Sequence, residues 1–268
     1  MPELPDIVVY IESLEARILG QTLERVKILN PFVLRSFAPP LEEAHGKPVS
    51  SLHRLGKRII IGLQPYYFFV IHLMIAGRFR WLEPNAKPPG KIGLASFHFP
   101  NGTLLLTEAG TKRRASLHLV KGNDALAAFD MHGLEALDAD LITFSQHLTK
   151  ENHTLKRALT DPRSFSGIGN AYSDEILHRA KLSPIAQTQK LSAEEVAALF
   201  DAAKATLLEW TDRLRLQARD KFPEKVTAFR PEMAVHGRFG LPCPVCANPV
   251  QRIVYATNET NYCARCQT

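Results

Sequence analysis

Cys243-Pro-Val-Cys246 and Cys263-Ala-Arg-Cys266 are separated by 16 residues, so the chain carries the pattern C-x2-C-x16-C-x2-C. Each knuckle can bring two thiolates to about 2.3 Å from one tetrahedral Zn²⁺. Four protein ligands close such a site, so the metal holds a β-hairpin together and offers no open position for activating water. All 4 cysteines belong to this module, and clustered pairs of this kind fit metal ligation in a reducing compartment better than disulfides. Gln251, Arg252, Asn258 and Asn261 lie between the knuckles. They suit phosphate or base contacts, or a solvated hairpin tip.

Ser166-Gly167-Ile168-Gly169-Asn170 stands between two helical stretches. Its glycines permit a tight turn that aims backbone N–H groups at an anion; the same pattern also fits an ordinary packing turn with Asn170 as a helix cap. At the other end Pro2 follows Met1. A small second residue is what methionine removal requires, and the exposed group is then a secondary amine with an ordinary pKa of about 8. Glu3 is adjacent, and a helix starting near Asp6 points its positive end at both, which lowers the amine pKa. An amine nucleophile beside a carboxyl group suits Schiff-base chemistry at an aldehyde-level carbon, with the acid assisting ring opening.

The elements that must position these groups follow from apolar spacing. Ile7, Val8, Ile11, Leu14 and Ile18 form a helical stripe over 6–19, with Gly20 where a left-handed cap belongs. From Val49 to Val120 the texture turns to strands, among them 58–63, 68–73, 94–99, 103–107 and 115–120, broken by Asn101-Gly102 and a Pro-Pro-Gly turn at 88–90. Beyond Gly133 helices are predicted over 141–148, 155–159 and 170–181, then a long one opened by a Ser192/Glu195 capping box with Val196, Leu199, Phe200, Ala203 and Leu207 on one face. The 268 residues are 45% hydrophobic and 22% charged, a globular composition that excludes disorder. With 33 basic against 27 acidic side chains the net charge is +6, which favours polyanionic partners. The longest apolar run, Tyr66 to Gly77, has 12 residues, well short of the roughly 20 a membrane span needs. No basic segment precedes an apolar stretch at the N-terminus, so a cytoplasmic protein is expected.

Taken together and in order, these features resemble the formamidopyrimidine-DNA glycosylase and endonuclease VIII family of base-excision repair enzymes. The resemblance rests on Pro2-Glu3-Leu4-Pro5, Lys57 within Arg54-Leu55-Gly56-Lys57-Arg58, His72-Leu73 before Gly77-Arg78, Gly167-Ile168-Gly169-Asn170-Ala171-Tyr172, and His236-Gly237-Arg238 leading into the cysteines. It covers nearly the whole chain. It implies an α+β fold: an N-terminal two-layer β-sandwich lobe with flanking helices (1–132), a helix-two-turns-helix lobe (133–235) and a zinc-finger hairpin (236–268), with DNA in the cleft between the lobes. It also implies roles. Pro2 attacks C1′ of the damaged nucleotide, Glu3 protonates the deoxyribose ring oxygen, and Lys57 contacts phosphate and assists strand scission. Gly169, Asn170 and Arg113 hold the DNA backbone, and Cys243, Cys246, Cys263 and Cys266 bind one structural zinc.

Departures from the family pattern bear on specificity. The wedge that fills the gap left by a flipped base is typically a Met with an Arg-x-Phe set; the corresponding positions here are Ile75, Lys112 and Arg114. The family's zinc-hairpin arginine, five residues before the third cysteine, is Asn258, and a neutral amide does not replace a guanidinium fork on phosphate. The stretch Gln217 to Pro223 is short for the loop that covers 8-oxoguanine in the purine-specific branch. The expected protein is a monomeric glycosylase and abasic-site lyase acting on damaged double-stranded or single-stranded DNA, with β-elimination retained and δ-elimination in question. Two alternatives stay open: a binder of abasic or damaged DNA with weak base excision, and a zinc-ribbon module with unrelated chemistry.

Overall fold

Glu3 ends the extended N-terminus and opens the first helix, α1 (Leu4–Ile18), in a reciprocal capping box with Asp6. The helix begins two residues before its expected start because Pro5 sits in the first turn, where a missing N–H costs nothing. The stripe expected on it is largely inside: Ile7, Leu14 and Ile18 are fully buried. Gly20 has φ 77° and turns the chain out of the helix. This computed structural model describes every residue except 85, 87–89, 111, 220, 225, 228, 256 and 257. The prolines of the turn expected at 88–90 therefore lie outside the described residues.

The chain divides into two compact units, one formed by Met1–Asp130 with Leu214–Val226, the other by Met131–Arg213 with Thr227–Thr268. Among the described residues the first unit holds nine strands: β1 (Thr22–Leu23), β2 (Arg25–Ile28), β3 (Lys47–Leu55), β4 (Arg58–Leu63), β5 (Tyr67–His72), β6 (Gly77–Leu82), β7 (Gly93–Phe99), β8 (Gly102–Glu108) and β9 (Ser116–Lys121). They make a five-stranded sheet in the order β1-β3-β4-β5-β9 and a four-stranded sheet in the order β2-β7-β8-β6. Every neighbour pair is antiparallel. The two sheets pack as a sandwich in which Phe69 of β5 meets Phe97 of β7 edge-on at 5.2 Å. Tyr10 of α1 meets Phe79 of β6 edge-on at 5.6 Å, which lays the helix on the same core. Gly102 is required where it stands, since a Cβ there would come within 2.3 Å of the Trp81 ring. A short helix, α2 (Asn123–Ala127), follows β9.

The second unit is built from α3 (Leu141–Thr149), α4 (Leu155–Thr160), α5 (Asn170–Ala180) and most of α6 (Ala193–Ala218), followed by the hairpin β10 (Gln251–Tyr255) and β11 (Asn258–Tyr262). Phe144 sits between Phe165 at 4.9 Å and Phe200 at 5.3 Å. The α6 capping box forms as expected, with Ser192 N–H donating to Glu195 and Glu195 N–H donating to Ser192 Oγ. Val196, Leu199, Ala203 and Leu207 are buried. Gln217 and Ala218, expected in a loop, belong to the last turn of α6. Among the described residues no helix is long and apolar enough to cross a membrane.

Candidate functional site

In the first unit the candidate groups gather around the mouth of α1. Pro2 and Glu3 are buried, Glu3 being only 1% exposed. The capping box fixes this segment, since Glu3 N–H donates to Asp6 Oδ2 at 2.9 Å. The α-amino group of Met1, one residue away, has a pKa below its ordinary value. Burial is the main cause; Arg78 and Lys57 push the same way, while Glu3 and Asp6 oppose them. Lys57 thus acts electrostatically on the chain end from the β3–β4 connection. That connection is the two-residue loop Gly56-Lys57, with Leu55 paired to Arg58 and Gly56 at φ 61°, the geometry that a glycine at the first central position permits. Arg54 steadies it by donating to Gly56 O at 2.7 Å.

His72 closes this side of the site. Its Nδ1 accepts the Met74 N–H at 3.0 Å. Burial lowers its pKa to about 4, helped by Arg58 and Lys57, so the ring is neutral at physiological pH. The chain then crosses from one sheet to the other through Met74 at φ 52° and presents Ile75, 59% exposed. Gly77 must be glycine because a Cβ there would lie 2.2 Å from Leu73 O.

The register that pairs Gly77 with Glu108 brings Ile75 and the start of the 109–115 segment to one sheet end. Lys112, Arg113 and Arg114 are all exposed on that segment. Buried Glu108 anchors it by accepting Arg114 N–H at 2.9 Å and Ala115 N–H at 3.1 Å. Arg113 donates to Lys91 O. Sequence reasoning missed the Glu108 carboxylate, which holds the backbone of Arg114 and Ala115.

In the second unit the turn before α5 has Gly167 at φ 77° and Gly169 as the extended cap residue. Asn170 opens the helix, and its Nδ2 donates to Glu259 O at 2.8 Å on β11, next to Asn258. Asn258 itself is exposed and pairs across the hairpin with Tyr255, 84% exposed. Arg252, the nearby guanidinium, lies 4.2 Å from the Phe239 ring and pairs with Glu259 at 3.3 Å, so its charge is already engaged.

Under the turn lies a buried polar cluster that sequence reasoning did not find. Lys156 Nζ donates to Asn170 O at 2.7 Å, Ser173 Oγ at 2.8 Å and Asp174 Oδ1 at 2.5 Å. Asp174 Oδ2 also accepts from His236 Nδ1 at 2.7 Å and Asn261 N–H at 3.2 Å. Glu175 accepts the N–H groups of Ala234, Val235 and His236 at 2.7, 2.9 and 3.0 Å. The available signal was the pair Asp174-Glu175 set among buried Tyr172, Ile176 and Leu177, because buried carboxylates require partners.

The four cysteine sulfurs lie within 4.8 Å of one another. Cys243 and Cys266 are 3.9 Å apart and Cys246 and Cys263 are 3.4 Å apart, close to the roughly 3.8 Å edge of a tetrahedron of sulfurs around zinc. The donor set and its shape fit one structural Zn²⁺ ion.

Comparison with known proteins agrees with this architecture. Residues 1–116 match the N-terminal domain of formamidopyrimidine-DNA glycosylase, residues 133–213 its H2TH domain, and residues 240–268 the zinc finger found in FPG and IleRS. The formamidopyrimidine-DNA glycosylase of Thermus thermophilus is 34% identical over 278 aligned residues, covering 100% of this chain and 98% of the relative. The crystal structure of the MutM (Fpg) protein from Thermus thermophilus superposes with a TM-score of 0.82 at 30% identity, covering 99% of this chain and 98% of that one. A complex of Lactococcus lactis Fpg with DNA containing an abasic site superposes with a TM-score of 0.87 at 25% identity over 99% of each chain. The fold and the zinc module define a two-part DNA-repair architecture. The chain belongs to the formamidopyrimidine-DNA glycosylase family.

Proposed function

We propose that this protein is a DNA glycosylase and abasic-site lyase that uses Pro2 as its nucleophile. The observation that carries this reading is the setting of the N-terminus: Pro2 and Glu3 are buried at the mouth of α1, where burial, Arg78 and Lys57 lower the pKa of the Met1 amine against the opposing pull of Glu3 and Asp6. Removal of Met1 would make Pro2 a secondary amine in that setting, neutral in greater part near pH 7 than an ordinary chain end. Its lone pair attacks C1′ as the bond from C1′ to the base breaks, and the N–H proton that the nitrogen then sheds balances the proton taken up by the departing base. Glu3 gives a proton to the ring oxygen, which opens the sugar and leaves an iminium. The iminium acidifies the C2′–H, so loss of a C2′ proton forms a C2′–C3′ double bond and breaks the C3′–O bond, expelling the 3′ phosphate, and water then releases Pro2. Lys57 holds phosphate in this scheme, and Gly169, Asn170 and Arg113 hold the strand. Zinc on Cys243, Cys246, Cys263 and Cys266 is structural.

The substrate is damaged DNA, double-stranded or single-stranded, bound by a monomer. Extruding a base costs a few kcal/mol, least at damaged, mismatched or unpaired sites. Ile75 keeps apolar bulk at the wedge, but Arg114 brings a charge where the family places an aromatic ring, and Asn258 lacks a phosphate fork. Both features favour abasic sites, oxidised pyrimidines and bubble substrates over 8-oxoguanine paired with cytosine, and β- over δ-elimination products. Single-turnover rates across those duplexes measure the preference.

Borohydride reduction on abasic DNA tests the chemistry. The expected result is a covalent adduct at Pro2, located by peptide mass analysis, in protein whose intact mass lacks Met1. An added N-terminal residue should abolish it. An undiminished adduct in the extended protein would assign the chemistry to another amine. Binding without any adduct would instead favour a damaged-DNA binding protein.

A further inference from the structure

The scheme above leaves His178 unused. This residue lies on α5, one turn beyond Asp174, and is 7% exposed. Its Nε2 is 3.3 Å from Cys243 Sγ, and the Val245 N–H points at the same sulfur from 3.5 Å. Cys243 is 3% exposed. A zinc-bound cysteine is a thiolate and can only accept, so the ring nitrogen facing it must carry the hydrogen. Four thiolates outweigh the charge of one Zn²⁺, and a buried excess of negative charge is costly unless N–H groups meet it.

We propose that His178 is a positioning residue of the zinc centre: its Nε2–H donates to the Cys243 thiolate and fastens the metal to α5, the helix that begins at Asn170. The same helix grips the segment before the cysteines through Asp174 and Glu175, which bond His236 and the N–H groups of residues 234–236. The His178 contact differs in touching the metal's own ligand. Outer partners of this kind orient ligands and tune affinity about 10- to 100-fold. His178 also lines a cavity of about 340 Å³ together with Trp210, Pro244 and Val245, so the ring's bulk and its N–H must be tested separately.

His178→Phe keeps the ring volume and removes the donor, and His178→Gln restores an N–H at similar reach. In cobalt-loaded protein, loss of the hydrogen bond should move the thiolate-to-cobalt charge-transfer bands of His178→Phe to lower energy. The His178→Gln bands should stay near those of the unaltered chain. Zinc release to a chelator should be about tenfold faster in His178→Phe. Unchanged bands together with an unchanged release rate would overturn the proposal. A measurement on the unaltered chain covers the case in which the Phe variant fails to fold. In cadmium-113-substituted protein the His178 Nε2–H proton should show scalar coupling to the metal across the sulfur, and an observed ring proton without that coupling would equally overturn it.

Discussion

His72 accepts the Met74 N–H at Nδ1, so protonating that nitrogen breaks a backbone contact in a site already holding Arg58 and Lys57. Its pKa of about 4 in the folded protein compares with about 6.5 in an unfolded chain. Between those values the unfolded state takes up the proton and the folded state does not. Stability is therefore fully present above about pH 6.5 and declines as the pH falls toward about 4, by on the order of 3 kcal/mol at most. His72→Asn keeps an acceptor for Met74 but cannot titrate. Denaturant unfolding of both proteins over this range should show the unaltered chain losing stability relative to the variant, and parallel curves would refute the assignment. Asn258 gives a second prediction at this scale. Arg252 pairs with Glu259 and lies over the Phe239 ring, and the expectation is that it does not stand in for the family's arginine at position 258. Asn258→Arg should thus tighten binding to abasic DNA by about 1.5 to 3 kcal/mol, the worth of a hydrogen bond to a charged group, and raise the share of δ-elimination products. Unchanged affinity and product ratio would mean that another cation already fills that role.

Among the elements, α5 joins the second unit's pieces. Asp174 is fully buried, and Lys156, also largely buried, and His236 share its carboxylate. Removing one partner of a buried ion pair costs about 3 to 5 kcal/mol because the other charge stays unmatched. Asp174→Asn should destabilise the second unit by about that much and accelerate zinc loss, while adding Lys156→Met should recover part of the stability; full additivity of the two changes would argue against the pairing. This cluster also marks where the sequence stopped being legible. Strand β4 and the α6 capping box could be read because their causes are local: a run of β-branched residues, and an oxygen three positions from an amide. The cysteine spacing was legible for the same reason, since each knuckle forms over four residues. Lys156, Asp174, His236 and Asn261 meet across separations of 18 to 87 residues, and no period or spacing records such a meeting. Glu108 was hidden differently: it closes a strand in sequence, and only the turn back to Arg114 and Ala115 shows what its carboxylate is for. The early start of α1 is intermediate, because Pro5 reads as a breaker until its place in the first turn is known.

At the scale of the whole molecule, the net charge of +6 and the exposed cations Lys112, Arg113 and Arg114 suit the proposed DNA partner. Phosphates look alike along a duplex, so contacts to them add affinity without choosing a site; choice comes from the groups that receive the extruded nucleotide. The two contributions separate under salt. Each neutralised phosphate releases condensed counterions, and log K falls by about 0.9 per phosphate for each tenfold rise in salt. With about six phosphates engaged, the slope of log K against log salt should be about −5. Duplexes with and without an abasic site should give parallel lines, because the phosphate grip is common to both, and the vertical gap between them is the free energy of recognising the lesion. Fluorescence anisotropy at a series of salt concentrations reads both quantities at once. A slope near zero would exclude a phosphate-dominated interface, and lines that converge at high salt would mean that lesion recognition is itself carried by phosphate contacts rather than by the groups proposed to receive the lesion.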